Sequence, residues 1–208
     1  MSASCGHDVK FDGMSSVYKR ALIFVILINA VMFLVEMPMG FVGQSQALKA
    51  DALDFLADTF TYAISLAVIG KTASLRSKVA LLKGLSLMLM GAWVLGSTLY
   101  SVFYIQQPTA LIMGYVGFAA LIANLLSVFL LVRFKDGDAN IRSVWLCSRN
   151  DAIGNIMVML AASGVWVTNT GWPDLIVASV MAALFLWGSA SIIRQALAEL
   201  NHSHTPAE

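Results

Sequence analysis

The sequence predicts an all-α polytopic membrane protein with six transmembrane helices and both termini cytoplasmic. Three observations lead there. Of 208 residues, 59% are hydrophobic and only 12% charged, with a mean hydropathy of +0.78, a composition foreign to soluble globular domains. Apolar stretches long enough to cross roughly 30 Å of hydrocarbon lie near 18–38, 45–70, 84–105, 110–133, 142–167 and 173–194. Lys and Arg concentrate in alternate connections, which fixes orientation. The implied organisation is a cytoplasmic tail over 1–17, a membrane domain over 18–194 and a short cytoplasmic tail over 195–208.

Helix one follows Lys10, Lys19 and Arg20 and reaches Pro38. No small-residue cleavage site follows its apolar run, so it is expected to be retained and not removed as a signal peptide. Glu36, near its outer end, reads as an interfacial, solvated carboxylate. Helix two opens at Ser45, and Lys49 is close enough to its outer end to snorkel. Lys71, Arg76, Lys78 and Lys83 then mark a cytoplasmic connection to helix three. The 106–109 connection has no Lys or Arg and belongs outside, followed by helix four. Arg133, Lys135 and Arg142 bracket the next connection, a solvated loop containing Asp136, Gly137, Asp138 and Asn140. The 168–172 connection again lacks Lys and Arg, and Arg194 closes helix six. Gly84, Gly91, Gly96, Gly114, Gly117 and Gly154 are expected to let helices approach closely.

Helix two carries the anomaly. Asp51, Asp54 and Asp58 lie in an otherwise apolar segment, where a carboxylate near the bilayer centre costs roughly 2.5 to 3.5 kcal/mol even on the mildest scale. Such groups face a polar pathway or hold something positive. Asp54 and Asp58 stand at i and i+4 and share a helix face. Cys147 and Asp151 repeat that spacing in helix five, at a comparable depth. Asp54, Asp58, Cys147 and Asp151 together offer three oxygens and one sulfur, a donor set suited to a tetrahedral divalent ion such as zinc. Four such ionisable groups cannot all stay charged in a low-dielectric interior, so the metal-free site should hold protons that a divalent cation displaces.

The neighbouring polar residues read less sharply. Asp51 stands about 60° round the helix from Asp54 and lines an entrance or meets water. Arg149, about 200° from Asp151, points away from the site. Lys49 and Arg149 offer ion-pair partners to the aspartates, but no spacing favours that pairing. Asn124 and Asn155 suit either an outer hydrogen bond to the site or helix packing. The two cysteines, Cys5 and Cys147, are not expected to form a disulfide. In the tails, Cys5-Gly6-His7-Asp8 and His202-Ser203-His204 either capture metal or carry incidental histidines.

These residues resemble the cation diffusion facilitator family of divalent metal/proton antiporters over nearly the whole chain. The family's helix-two [His/Asp]-x-x-x-Asp pair is matched by Asp54 and Asp58, and its helix-five pair by Cys147 and Asp151. Similar stretches are Ser45-Gln46-Ala47-Leu48-Lys49-Ala50-Asp51-Ala52, Asn124, Asn155 and Trp172-Pro173-Asp174-Leu175. The resemblance implies efflux of a divalent metal by alternating access, driven by inward protons. Cys147 departs from the His or Asp of many zinc-transporting members. A thiolate favours softer ions, so cadmium joins zinc, while the carboxylates tolerate Co2+, Ni2+, Fe2+ or Mn2+. Where relatives add a cytoplasmic metal-binding domain after helix six, only Gln195 to Glu208 remain here. Any homodimer is then expected to form through the membrane domain.

No nucleotide-binding glycine loop, Ser/His/Asp set or His-Glu-x-x-His motif occurs, which disfavours an ATP-driven pump or an intramembrane metalloprotease. The expectation is therefore a non-enzyme: a bacterial inner-membrane exporter of Zn2+ and Cd2+ exchanging for protons, with no cofactor and no nucleic-acid partner. Two other readings use the same residues: a membrane metal sensor or scaffold that does not transport, and a proton-coupled organic cation exporter. The latter would not need Cys147.

Overall fold

The computed structural model describes residues 15–67, 73–104, 107–134 and 139–202. They form α1 (Ser16–Val42), α2 (Gln46–Ala67), α3 (Ala73–Phe103), α4 (Ala110–Leu131, continued by a 3-10 turn over Val132–Phe134), α5 (Ala139–Thr168) and α6 (Trp172–His202). No strand occurs among them, and the all-helical expectation holds. The helices overrun the apolar windows: α1 continues through Pro38, α3 begins at Ala73 and α6 reaches His202. The windows mark only hydrocarbon-crossing length, whereas a helix keeps its own hydrogen bonds in water too.

Among the described residues five helices are long and apolar enough to span a membrane, and at most 33% of each such window is buried inside the bundle. The remainder presents side chains such as Phe24, Leu89, Phe129 and Trp187 outward. The exception is α2, whose Lys49, Asp51, Asp54 and Asp58 lower its apolarity. Its placement resolves the difficulty, because α2 touches each of the other five helices. The most charged helix is thus enclosed by the five with spans apolar enough to cross a membrane.

Packing is densest between α3 and α6, between α1 and α2, and between α4 and α5. A Cβ on Gly84 would lie 2.7 Å from Ile193 Cγ1, and one on Gly91 3.0 Å from Phe185 Cβ, so these glycines let α3 and α6 meet. Gly96, Gly114 and Gly154 do not fit that expectation: nothing lies within 4 Å of a Cβ there.

At one end of the bundle the 43–45, 107–109 and 171–174 segments meet, with Thr109 N–H donating to Gly43 O (2.9 Å) and Ser45 Oγ to Asp174 Oδ1 (2.5 Å). At the other end Tyr18, Leu22, Tyr62 and Leu131 pack together, with Phe134 edge-on to Tyr18. The tail residues Cys5, His7 and His204 and the loop residues Asp136, Gly137 and Asp138 lie outside the described residues, as do the side chains of Asn140, Cys147 and His202.

Candidate functional site

The corner between α1 and α2 sets the start of α2. Ser45 N–H reaches Gly40 O (3.0 Å) and Gln44 N–H reaches Phe41 O (3.1 Å), with Gln44 in the left-handed region at φ 53°. This is a Schellman stop for α1. Ser45 then caps α2, its Oγ accepting from Leu48 N–H at 3.0 Å. Asp174, from the first turn of α6, accepts from Ser45 Oγ, from Gln46 N–H (2.7 Å) and from Ala47 N–H (3.0 Å). The Ser45 and Asp174 stretches noted in the sequence thus act together: a carboxylate from one helix caps the N-terminus of another.

With its start fixed, α2 presents Asp51, Asp54 and Asp58 to a narrow polar crevice between the helices, too tight to hold a water molecule. Its lining includes Asn29 from α1, Asn124 from α4 and Asp151 from α5, with Phe55 completing the wall. Asp151 comes within hydrogen-bonding reach of both Asp54 and Asp58, and Asp58 also meets Tyr62. The Tyr62 hydroxyl in turn lies 3.4 Å from Ser148 Oγ. Three of the four sequence-predicted ligands, Asp54, Asp58 and Asp151, are therefore brought together. The fourth, Cys147, sits on the α5 backbone one turn before Asp151, its side chain outside the described residues.

Among the described residues no three His, Cys, Asp or Glu side chains already converge as a metal-ligand set. The aspartates meet one another instead, and acceptor-only carboxylates can do so only with a proton between them. The chemistry on offer is a dry, multi-acid pocket able to hold protons or a divalent cation.

Several sequence expectations need correction. Glu36 is not solvated at an interface: it is 0% exposed, and its carboxyl faces that of Asp51 at hydrogen-bonding range. Asp51 is not an entrance residue either, being 1% exposed and part of the pocket lining. Its spacing of three and seven residues from Asp54 and Asp58 puts it on the same helical stripe, a signal the sequence did carry. Lys49 does not snorkel freely but is buried, its ammonium 4.6 Å from the centroid of the Phe41 ring. Asn124 is 2% exposed and lines the pocket, while Asn155 is fully buried and does not. Arg149 is exposed, as its bearing predicted.

Sequence reasoning missed Asn29. Its Nδ2 donates to Val25 O (2.8 Å), which holds the amide over the pocket. The signal was available: Asn29 lies two turns before Glu36 on α1, and the antiparallel pairing that sets Glu36 against Asp51 brings Asn29 opposite Asp58.

The chain is 25% identical over 195 residues to the zinc transporter ZitB of Pectobacterium atrosepticum, a match covering 87% of this chain and 61% of the relative. It thus spans about three fifths of the length of that relative. The pattern of the cation efflux transmembrane domain matches residues 22–201, from early α1 to the end of α6. With that match over all six helices and a buried carboxylate pocket at their centre, the chain belongs to the cation efflux family of multi-pass membrane proteins.

Proposed function

We propose that this protein exports a divalent metal cation, Zn2+ with Cd2+ as a second substrate, in exchange for protons across a bacterial inner membrane. Asp54, Asp58, Cys147 and Asp151 hold the ion. The observation that carries the reading is the pocket shared by Asp54, Asp58 and Asp151, from two helices, inside a bundle whose outer faces are apolar. A likeness to a zinc transporter supports zinc as the substrate. Proton coupling follows from the chemistry of the site, since ligands that must lose protons to bind metal make the two cargoes compete. The basic connections 71–83 and 133–142 assign the Tyr62 end to the cytoplasm and the Ser45 end to the outside.

The test is metal flux into proteoliposomes containing a fluorescent zinc reporter under an imposed pH gradient. The native chain is compared with Asp54→Ala and Asp151→Ala. Flux that needs the gradient and disappears in both variants is the expected result. Tight zinc binding lost in the variants, with no flux in the native chain, would instead establish a metal-binding sensor.

A further inference from the structure

A second cavity lies on the opposite side of α2 from the carboxylates. Nine residues separate Lys49 from Asp58, a half-turn about the helix axis, so the Lys49 ammonium faces α3 and α6. It enters a cavity of about 430 Å³ at the Ser45 end, within the range of small-molecule and headgroup sites. Gly40 makes this possible, since a Cβ there would sit 2.9 Å from Lys49 Cγ.

The electrostatics of this cavity are incomplete. Lys49 is nine-tenths buried, yet among the described residues its ammonium donates no hydrogen bond; it rests against the Phe41 ring and within the field of the Asp174 carboxylate. Asp174 shares the cavity wall, but both its oxygens are already engaged by Ser45, Gln46 and Ala47. Gln46, 7% exposed, donates from Nε2 to Ser101 Oγ (2.7 Å), while its Oε1 accepts from nothing. A buried carbonyl oxygen without a donor is costly, and the ammonium beside it opens into the cavity with donors to spare. A ligand that satisfies both must accept from Lys49 and donate to Gln46.

The height of the cavity narrows the choice. It sits beside the helix connections, flanked by Trp93, Tyr100 and Tyr104, which are 43%, 63% and 63% exposed. Aromatic side chains at helix ends mark the headgroup level of a bilayer. We infer that this cavity binds the headgroup of an anionic phospholipid, its phosphodiester on Lys49 and a headgroup hydroxyl donating to Gln46 Oε1.

The experiment is thermal unfolding of the full chain in detergent with added phosphatidylglycerol, phosphatidylcholine or inorganic phosphate. Saturating phosphatidylglycerol should raise the midpoint by about 5 °C. Phosphatidylcholine, whose headgroup offers the phosphodiester acceptor but no hydrogen-bond donor, should do markedly less. Lys49→Met should abolish the shift, while Lys49→Arg, which keeps the charge, should retain it and exclude a mere folding defect. Gln46→Leu should erase the preference for phosphatidylglycerol over phosphatidylcholine. A shift unchanged in Lys49→Met, or no shift in the native chain, would overturn the site. An equal shift with inorganic phosphate would overturn the lipid assignment in favour of a soluble oxyanion.

Discussion

Asp174 is one carboxylate of α6 on which the beginning of α2 depends. It receives three hydrogen bonds from α2 and its cap while almost wholly buried. Asp174→Ala would leave two backbone N–H groups and a hydroxyl without their acceptor. A loss of about 3 kcal/mol is expected, against about 1 kcal/mol for Ser45→Ala, read as detergent-solubilised melting midpoints. At the proposed ion site, Cys147→Ser exchanges a soft ligand for a hard one. The preference for Cd2+ over Zn2+ should fall by about tenfold or more, measured by competition binding, and a preference that does not move would remove Cys147 from the ligand set. Metal affinity of the native chain should also rise with pH, because proton and metal compete for the same groups; calorimetric titration at two pH values checks this. Asp54, Asp58 and Asp151 were legible in the sequence because a charge in an apolar segment is conspicuous. Asn29 was not, since a neutral amide hardly disturbs a hydropathy window. Glu36 and Asp51 were visible but misjudged, because distance from a helix end does not reveal which face is enclosed.

Between elements, the close contacts are made at corners and glycines. The α1–α2 corner needs a left-handed residue, and Gln44 takes that role at φ 53° where glycine would be free of strain. Gln44→Gly should therefore stabilise the corner by about 0.5 to 1 kcal/mol, provided the Gln44 side chain contributes little to the adjoining cavity. An unchanged or lowered melting midpoint would show that it does contribute. The α3–α6 contact runs the other way. A Cβ at Gly84 would press on Ile193 Cγ1 at 2.7 Å and meet the Ile193 backbone nitrogen at 3.3 Å. Gly84→Ala should cost about 1 to 3 kcal/mol and loosen that pair. The number of helices and their order were readable from apolar length and charge alternation. Their true ends were not, because a helix passes from hydrocarbon into the interface with no change in backbone hydrogen bonding. Which glycines mark contacts was equally hidden, since Gly84 and Gly96 look alike without knowing the neighbour each one faces.

Taken as a whole, the molecule reverses the polarity of a soluble protein. Asn29, Glu36, Asp51, Asn124 and Asn155 are buried, while Leu34, Leu89, Leu111 and Phe129 are largely exposed. In water, changing an exposed leucine to a charged residue is close to neutral, and that difference provides a test of the membrane assignment independent of any transported ion. Leu89 lies midway along the Lys78–Phe103 span and is 72% exposed. If lipid covers that face, Leu89→Arg places a guanidinium in hydrocarbon at a cost of roughly 2.5 to 3.5 kcal/mol, and the yield of folded protein in membranes should fall sharply. Leu89→Ala, which removes bulk without adding charge, should leave it nearly unchanged. Equal yields for the arginine and alanine variants would mean that Leu89 faces water or a polar cleft, and α3 would then have to turn a different side toward the lipid.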